Sequence, residues 1–317
     1  MTILSKKQMS EEDIKLNYIT PALINKGWQN KITMETSVSF TDGRIMIQGN
    51  VVVRTSPKKA DYILYINANN PIAVVEAKDN NHTVSYGMQQ AIEYAKMLDV
   101  PFAYSSNGDA FQEHDMLTGI ERQIALDEFP TYEELIERFK VEANKGQGIT
   151  PEEMVVINQP YYTSQTTYAP RYYQRVAINR TLDAIAKGQN RILLVMATGT
   201  GKTYTAFQIV YRLLKSDMKK KILYLADRNI LVDQSIQQDF APLEKTIHKI
   251  NFAKDDPTTI TSHEVYFSLY QQLAGNEEAE DDEEETVSKF EALFRPDFFD
   301  LVIVDECHRG SAKKDSN

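Results

Sequence analysis

Ile192-Leu-Leu-Val-Met-Ala-Thr-Gly-Thr-Gly-Lys202-Thr203 decides how the second half of this chain reads. The apolar run predicts a buried strand over Arg191 to Met196, and a helix is expected after Gly201. Glycine at 199 and 201 lets the backbone approach an anion closely, with N–H groups and a helix N-terminus turned toward it. Such a strand-loop-helix is a phosphate cradle built by Thr198, Gly199, Thr200 and Gly201. Lys202 then reaches the terminal phosphates of ATP, and Thr203 holds Mg²⁺. About a hundred residues on, Leu301-Val-Ile-Val-Asp305-Glu306-Cys307-His308 is a second apolar strand that ends in acids. Asp305 is the expected Mg²⁺ partner there, and Glu306 the group that polarises the water attacking the γ-phosphate.

Around these two motifs the pattern alternates from Arg171 onward. A helix, the strand Arg191 to Met196, a helix, a strand over Lys221 to Ala226, a helix and the strand Leu301 to Val304 follow in turn. Strands alternating with helices predict a parallel α/β sheet covered on both faces. Upstream, the polar and proline-bracketed stretch from Gln159 to Pro170 marks a boundary. The expectation is one domain over 1–155, a linker over 156–170 and a second domain over 171–317, in keeping with a length that exceeds a single core.

The first domain carries a different constellation. Ser10-Glu-Glu-Asp opens a helix whose apolar positions recur at helical spacing up to Gly27-Trp28, with Pro21 as a point of possible kink or break. Strand-rich segments follow at Thr33 to Phe40, Arg44 to Thr55, Asp61 to Asn67 and Pro71 to Lys78. The last two are joined by Asn69-Asn70-Pro71 as an antiparallel hairpin. A helix over Tyr86 to Leu98, a short strand over Phe102 to Ser105 and a helix beginning near Pro130 complete it. In a strand, residues two apart share a face, so Glu76 and Lys78 project together, and the hairpin brings Asp61 beside them. Two carboxylates are hard oxygen ligands for Mg²⁺, and a lysine can orient water or stabilise charge on a phosphodiester. Surface strands also end in charges, so Asp…Glu-x-Lys by spacing alone leaves a purely structural reading open. The apolar run Ile72 to Val75 makes Glu76 and Lys78 the polar end of a buried strand, where charges need partners or a function.

Composition bounds the rest. One cysteine among 317 residues excludes an internal disulfide and a multi-cysteine zinc site. The start lacks the apolar core of a signal peptide, and no run of 18 apolar residues offers a membrane span, so a cytoplasmic location is expected. The net charge of -10 is concentrated: eight of the nine residues from Glu277 to Glu285 are acidic, and the remainder of the chain is near neutral. That run reads as a solvated, self-repelling loop. A near-neutral remainder is compatible with a local basic stripe on DNA.

With these residues in view, the first half resembles the restriction-endonuclease fold with its Asp…(Asp/Glu)-x-Lys signature. Gln90-Ala-Ile-Glu-Tyr94 resembles the Gln-x-x-x-Tyr element of RecB-like nucleases. The resemblance implies catalytic roles for Asp61, Glu76, Lys78, Gln90 and Tyr94, and for an acid on the first helix matched by Glu12. Two departures are Ala60, where the family has proline, and Lys15, where a relative often has arginine. The second half resembles the first RecA-like lobe of superfamily-two helicases. There Pro170-Arg-Tyr-Tyr-Gln174 is similar to an adenine-reading motif, and Arg228 and Gln234 fall in a DNA-contacting motif. His308 would couple ATP state to a second lobe.

The order of motifs over nearly the whole chain resembles the restriction subunit of type I restriction-modification enzymes. That implies Mg²⁺-dependent cleavage of double-stranded DNA coupled to ATP-driven translocation, with modification and specificity subunits as partners. The Asp-Glu-Cys-His box stands close to Asn317, so the sequence reads as the N-terminal part of a longer motor. A repair or type III-like nuclease-helicase, or a docking module with an inactive nuclease fold, remains the alternative at this point.

Overall fold

The computed structural model describes residues 5–34, 45–48, 51–54, 59–67, 70–142, 150–164, 169–226, 229–252, 254–256, 260–269 and 290–307. Arg228, His308 and the acidic run from 277 to 285 lie outside the described residues, as does most of the segment expected from Thr33 to Phe40. By contacts the chain divides into two units. The first comprises Met1–Pro160 with Tyr168–Asp183, and the second Tyr161–Thr167 with Ala184–Asn317.

The first unit opens with helical segments that follow one another directly: α1 (Glu11–Ile14), a π-helical turn over Lys15–Ile19, α2 (Thr20–Leu23) and a second π-helical turn over Ile24–Trp28. Ser10 caps the start by a reciprocal pair of bonds with Asp13. Pro21 does not break the helix. It sits in the first turn of α2, just after a π-turn that shifts the hydrogen-bond register, so its missing N–H removes no obligatory bond. Gly27, at φ +85°, ends the run, and Trp28 turns inward, fully buried, donating through Nε1 to the Pro130 carbonyl at 3.0 Å.

The strands are β1 (Ile32–Met34), β2 (Ile45–Gln48), β3 (Val51–Arg54), β4 (Tyr62–Asn67), β5 (Asn70–Ala77), β6 (Phe102–Ser106), β7 (Ala110–Asp115) and β8 (Glu121–Ala125). The segment expected from Arg44 to Thr55 is two strands rather than one, β2 and β3 pairing antiparallel. The other six form a mixed sheet in the order β1-β4-β5-β6-β7-β8, in which only the β5–β6 pair is parallel. Among the described residues the sheet is followed or interrupted by the α-helices α3 (Met88–Leu98), α4 (Tyr132–Glu142) and α5 (Pro151–Asn158). Parallel β5 and β6 require a crossover, and α3 supplies it.

Ile72 through Ala77 are buried without alternation because both faces of β5 are covered. One face packs the first helix, with Ile14, Ile19, Leu23, Tyr62 and Val75 in a common cluster. The other packs α3, with Ile63, Val74, Ala91 and Tyr94 together.

The second unit follows α6 (Tyr172–Ala186), most of which clusters with the first unit. Its elements are α7 (Lys202–Lys215), β9 (Ile222–Ala226), α8 (Asn229–Gln237), β10 (Ile247–Lys249), β11 (Val265–Leu269) and β12 (Leu301–Val304). The sheet is parallel throughout, in the order β10-β11-β9-β12. The strand expected over Arg191 to Met196 is not formed. Residues 191–197 are irregular, with Leu193 72% and Val195 89% exposed. A strand exists only through a ladder partner, and among the described residues this apolar run has none. Of the helices described, none is long and apolar enough to cross a membrane.

Candidate functional site

Asp61 precedes β4, and Glu76 and Lys78 stand at the end of β5. Tyr62 pairs with Val75 and Ile63 with Val74 in antiparallel register, which sets Asp61 beside Glu76. Asp61 Oδ2 accepts the Ala77 N–H at 2.7 Å, and Lys78 Nζ donates to Glu76 Oε1 at 2.8 Å. Asp61 and Glu76 are 5% and 3% exposed, so this is a pair of carboxylates inside the protein. Burial, and then the charge of Asp61, push the Glu76 carboxyl up to about 8. Against the desolvation that burial imposes, the hydrogen bond and charge of Glu76, with Glu11 and Asp61, raise the Lys78 ammonium.

The floor of the site is made by residues that the sequence reading passed over. Gly87 caps the start of α3, and its N–H donates to the buried Ser105 Oγ at 3.1 Å. A Cβ at Gly87 would stand 2.9 Å from both Glu76 Cγ and Ser105 Oγ, so glycine is required here by close approach rather than by backbone angle. The first helix reaches the site through two lysine contacts. Glu11 lies 3.5 Å from Lys15 Nζ and 3.9 Å from Lys78 Nζ. Glu12, the acid expected from the sequence, bonds Lys15 at 3.0 Å with its side chain 72% exposed. Lys15 itself is 1% exposed and pairs with Asp61 at 2.5 Å. The spacing of Glu11 and Lys15, four apart on a helix, was the available signal for this arm.

The donor set fits a hard divalent cation. Glu76 Oε2 is buried and has no hydrogen-bond partner, an orphan that a cation beside Asp61 would satisfy. Among the described residues no group of three or more His, Cys, Asp or Glu side chains is arranged to hold a metal ion. A cation at Asp61 and Glu76 would therefore complete its shell from backbone, water or phosphate oxygens, as Mg²⁺ commonly does. Gln90 and Tyr94 share one face of α3, Gln90 Nε2 donating to Tyr94 Oη at 2.9 Å, with Tyr94 buried in the cluster under the sheet.

In the second unit, Thr198 and Gly199 form a turn and Gly201 stands at the N-cap of α7. Gly199 and Gly201 have φ of +75° and +80°, conformations that favour glycine. Thr200 Oγ1 closes the loop on the Ala197 carbonyl at 2.6 Å. Lys202 and Thr203 occupy the first turn of α7. Lys202 Nζ meets Glu306 Oε1 at 2.5 Å, which brings the loop and the end of β12 together across 104 residues of sequence. Asp305, at that strand end, accepts from Tyr224 Oη at 3.0 Å.

Gln174 lies in the first turn of α6, and its side-chain carbonyl accepts the Arg171 N–H at 2.9 Å, capping its own helix. Gln234 is exposed on α8.

Comparison with known proteins bears on the whole chain. The family model described as "Type I restriction enzyme R protein N terminus (HSDR_N)" matches residues 31–130, and that described as "Type III restriction enzyme, res subunit" matches residues 167–317. The EcoAI type I restriction endonuclease subunit of Escherichia coli is 45% identical over all of this chain and 38% of its own length. The EcoKI endonuclease subunit of the K12 strain is 29% identical over 79% of this chain and 24% of its own length. A solved fragment described as an HsdR subunit of a type I restriction enzyme from Vibrio vulnificus superposes with a TM-score of 0.75 at 37% identity. It covers 95% of this chain and 52% of the solved one. The chain thus spans 38% and 24% of the length of these two curated relatives. Matched from its first helix to the Asp-Glu-Cys-His box, the chain belongs to the type I restriction enzyme R subunits and corresponds to their N-terminal region.

Proposed function

We propose that the first unit is a Mg²⁺-dependent DNA nuclease of restriction-endonuclease type and that the second is a RecA-like, superfamily-two ATP-binding lobe. Within the whole R subunit the two act in sequence, ATP-driven movement of double-stranded DNA preceding its cleavage. On this reading the boundary between the activities falls within residues 156–170, the modification and specificity subunits are the partners, and the cytoplasm is the location. The observation that carries it is the orphaned Oε2 of buried Glu76, held beside Asp61 and Lys78. A bound Mg²⁺ would supply Lewis-acid stabilisation of the phosphodiester and a more acidic water. Asp61 and Glu76 would hold it. Lys78, kept cationic by Glu76, orients the attacking water and offsets charge growing on the phosphate. Gln90 and Tyr94 brace α3 beside the site. In the second unit Thr198 to Thr203 cradle the ATP phosphates, Thr203 and Asp305 hold their Mg²⁺, and Glu306 polarises water. Gln174 reads adenine, and Arg228 and Gln234 contact DNA.

The test is nicking of supercoiled plasmid with Mg²⁺ or Mn²⁺ by the R subunit assembled with its modification and specificity partners. Lys78→Ala should abolish it. Undiminished cleavage by Lys78→Ala would remove the nuclease assignment and leave a docking module.

A further inference from the structure

A lysine that is 1% exposed is costly to bury, and Lys15 is held by three acids at once. Its ammonium lies 2.5 Å from Asp61, 3.0 Å from Glu12 and 3.5 Å from Glu11. It arrives on the first helix, whose apolar side belongs to the core on one face of the sheet, while α3 covers the other. With Oδ1 of Asp61 on Lys15 and Oδ2 on the Ala77 N–H, the carboxylate is fixed from both ends.

The two lysines divide the acids between them. Lys78 serves Glu76, Lys15 serves Asp61 and Glu12, and Glu11 lies between. Carboxylates at such distances repel unless a cation separates them. On the Glu76 side an oxygen remains without a partner; on the first-helix side the cation is already part of the chain.

Resting on the nuclease reading above, we propose that Lys15 is a positioning residue: its ammonium occupies the cation position between Asp61 and the first-helix acids, so that the site takes one divalent ion rather than two. The side chain orients Asp61 toward Glu76 and fills the place from which a second ion would bridge Asp61 and Glu12. Its effect passes through Asp61, not through contact with the DNA.

The experiment counts Mn²⁺ bound to the nucleotide-free chain by the loss of the free-ion electron paramagnetic resonance signal, in parallel for the natural chain and for Asp61→Asn, Lys15→Met and Lys15→Arg. Asp61-dependent ions are those lost in Asp61→Asn. The expected counts are one in the natural chain, one in Lys15→Arg and two in Lys15→Met, with the Hill coefficient for metal rising from about 1 toward 2 in that variant. Two Asp61-dependent ions in the natural chain, or one ion of unchanged affinity in Lys15→Met, would overturn the proposal. Should Lys15→Met lose its far-ultraviolet dichroism, the natural chain and Lys15→Arg decide: one ion in each supports it, two in either sinks it. If Asp61→Asn removes no ion at all, the nuclease-site reading fails first, which separates the two failures.

Discussion

Replacing Gly87 by alanine adds one methyl group against the side chain of the acid on which the site depends. The added Cβ would lie 2.9 Å from Glu76 Cγ, 3.3 Å from Glu76 Cβ and 2.9 Å from Ser105 Oγ. Gly87 has φ -82° and ψ -2°, which alanine adopts freely, so backbone strain contributes nothing and the whole effect is steric. Neither neighbour is the free end of a flexible chain: Glu76 is 3% exposed and bonded to Lys78, and Ser105 is fully buried and accepts the Gly87 N–H. Relief therefore comes from moving Glu76 or from lifting the start of α3. Overpacking of this kind costs about 1–3 kcal/mol, or roughly 2–12 °C in melting temperature for a unit of this size. The larger consequence is functional, since a displaced Glu76 no longer faces Asp61. Mn²⁺ affinity and DNA cleavage should both fall by at least about tenfold, equivalent to about 1.4 kcal/mol, while ATP binding by the second unit is unchanged. Calorimetric melting, Mn²⁺ titration and plasmid nicking measure the three. A Gly87→Ala protein with natural melting temperature and natural metal affinity would refute the packing argument.

The raised Glu76 carboxyl gives a pH prediction with a definite sign. Between its ordinary 4.5 and about 8, the folded metal-free protein holds a proton that the unfolded chain has lost, so stability declines as pH rises through that window and levels off above it. Mg²⁺ binds the carboxylate, so a proton should be released on binding below the raised titration of Glu76 and progressively less above it; titration calorimetry in two buffers of different ionisation enthalpy that shows no release at about pH 6 would contradict the assignment. In the whole R subunit, Asp61→Ala should abolish cleavage and leave DNA-stimulated ATPase near its natural rate, a separation that parallel loss of both would disprove. If, as proposed, cutting depends on movement, Lys202→Ala should remove ATPase, translocation and cleavage together; retained cleavage would mean the nuclease acts without the motor. Away from both sites, Arg138 bonds both oxygens of buried Glu113 and one of Asp115. Arg138→Met should destabilise the first unit by roughly 1.5–3 kcal/mol in urea unfolding, because Arg122 and Tyr104 still serve Glu113 and limit the loss. A change under about 0.5 kcal/mol would show the network to be dispensable.

Local chemistry alone determined much of this protein. Gly199 and Gly201 announce left-handed backbone at a helix start because few other residues adopt it, and the period-two spacing of Glu76 and Lys78 puts them on one face of any strand. The capped helix at Ser10, the hairpin of β4 and β5, α3, α7 and the strands β9 and β12 were legible for the same reason: each is written in a continuous stretch. The mixed and parallel sheets divide along that line too. β7 and β8 went unread although Asn107-Gly108 and Thr118-Gly119 mark the turns before them, and β10 and β11 because their short segments become strands only against partners elsewhere. Ile192 to Val195 shows the converse, an apolar run with every local mark of a strand that is irregular and exposed, with no ladder partner among the described residues. Site residues follow the same rule. Asp61, Glu76 and Lys78 could be found by spacing within a hairpin. Gly87 beneath Glu76, and Lys15 with Glu11 across from Asp61, depend on distances between separate segments of the chain, which only the packing of α3 and the first helix against the sheet decided.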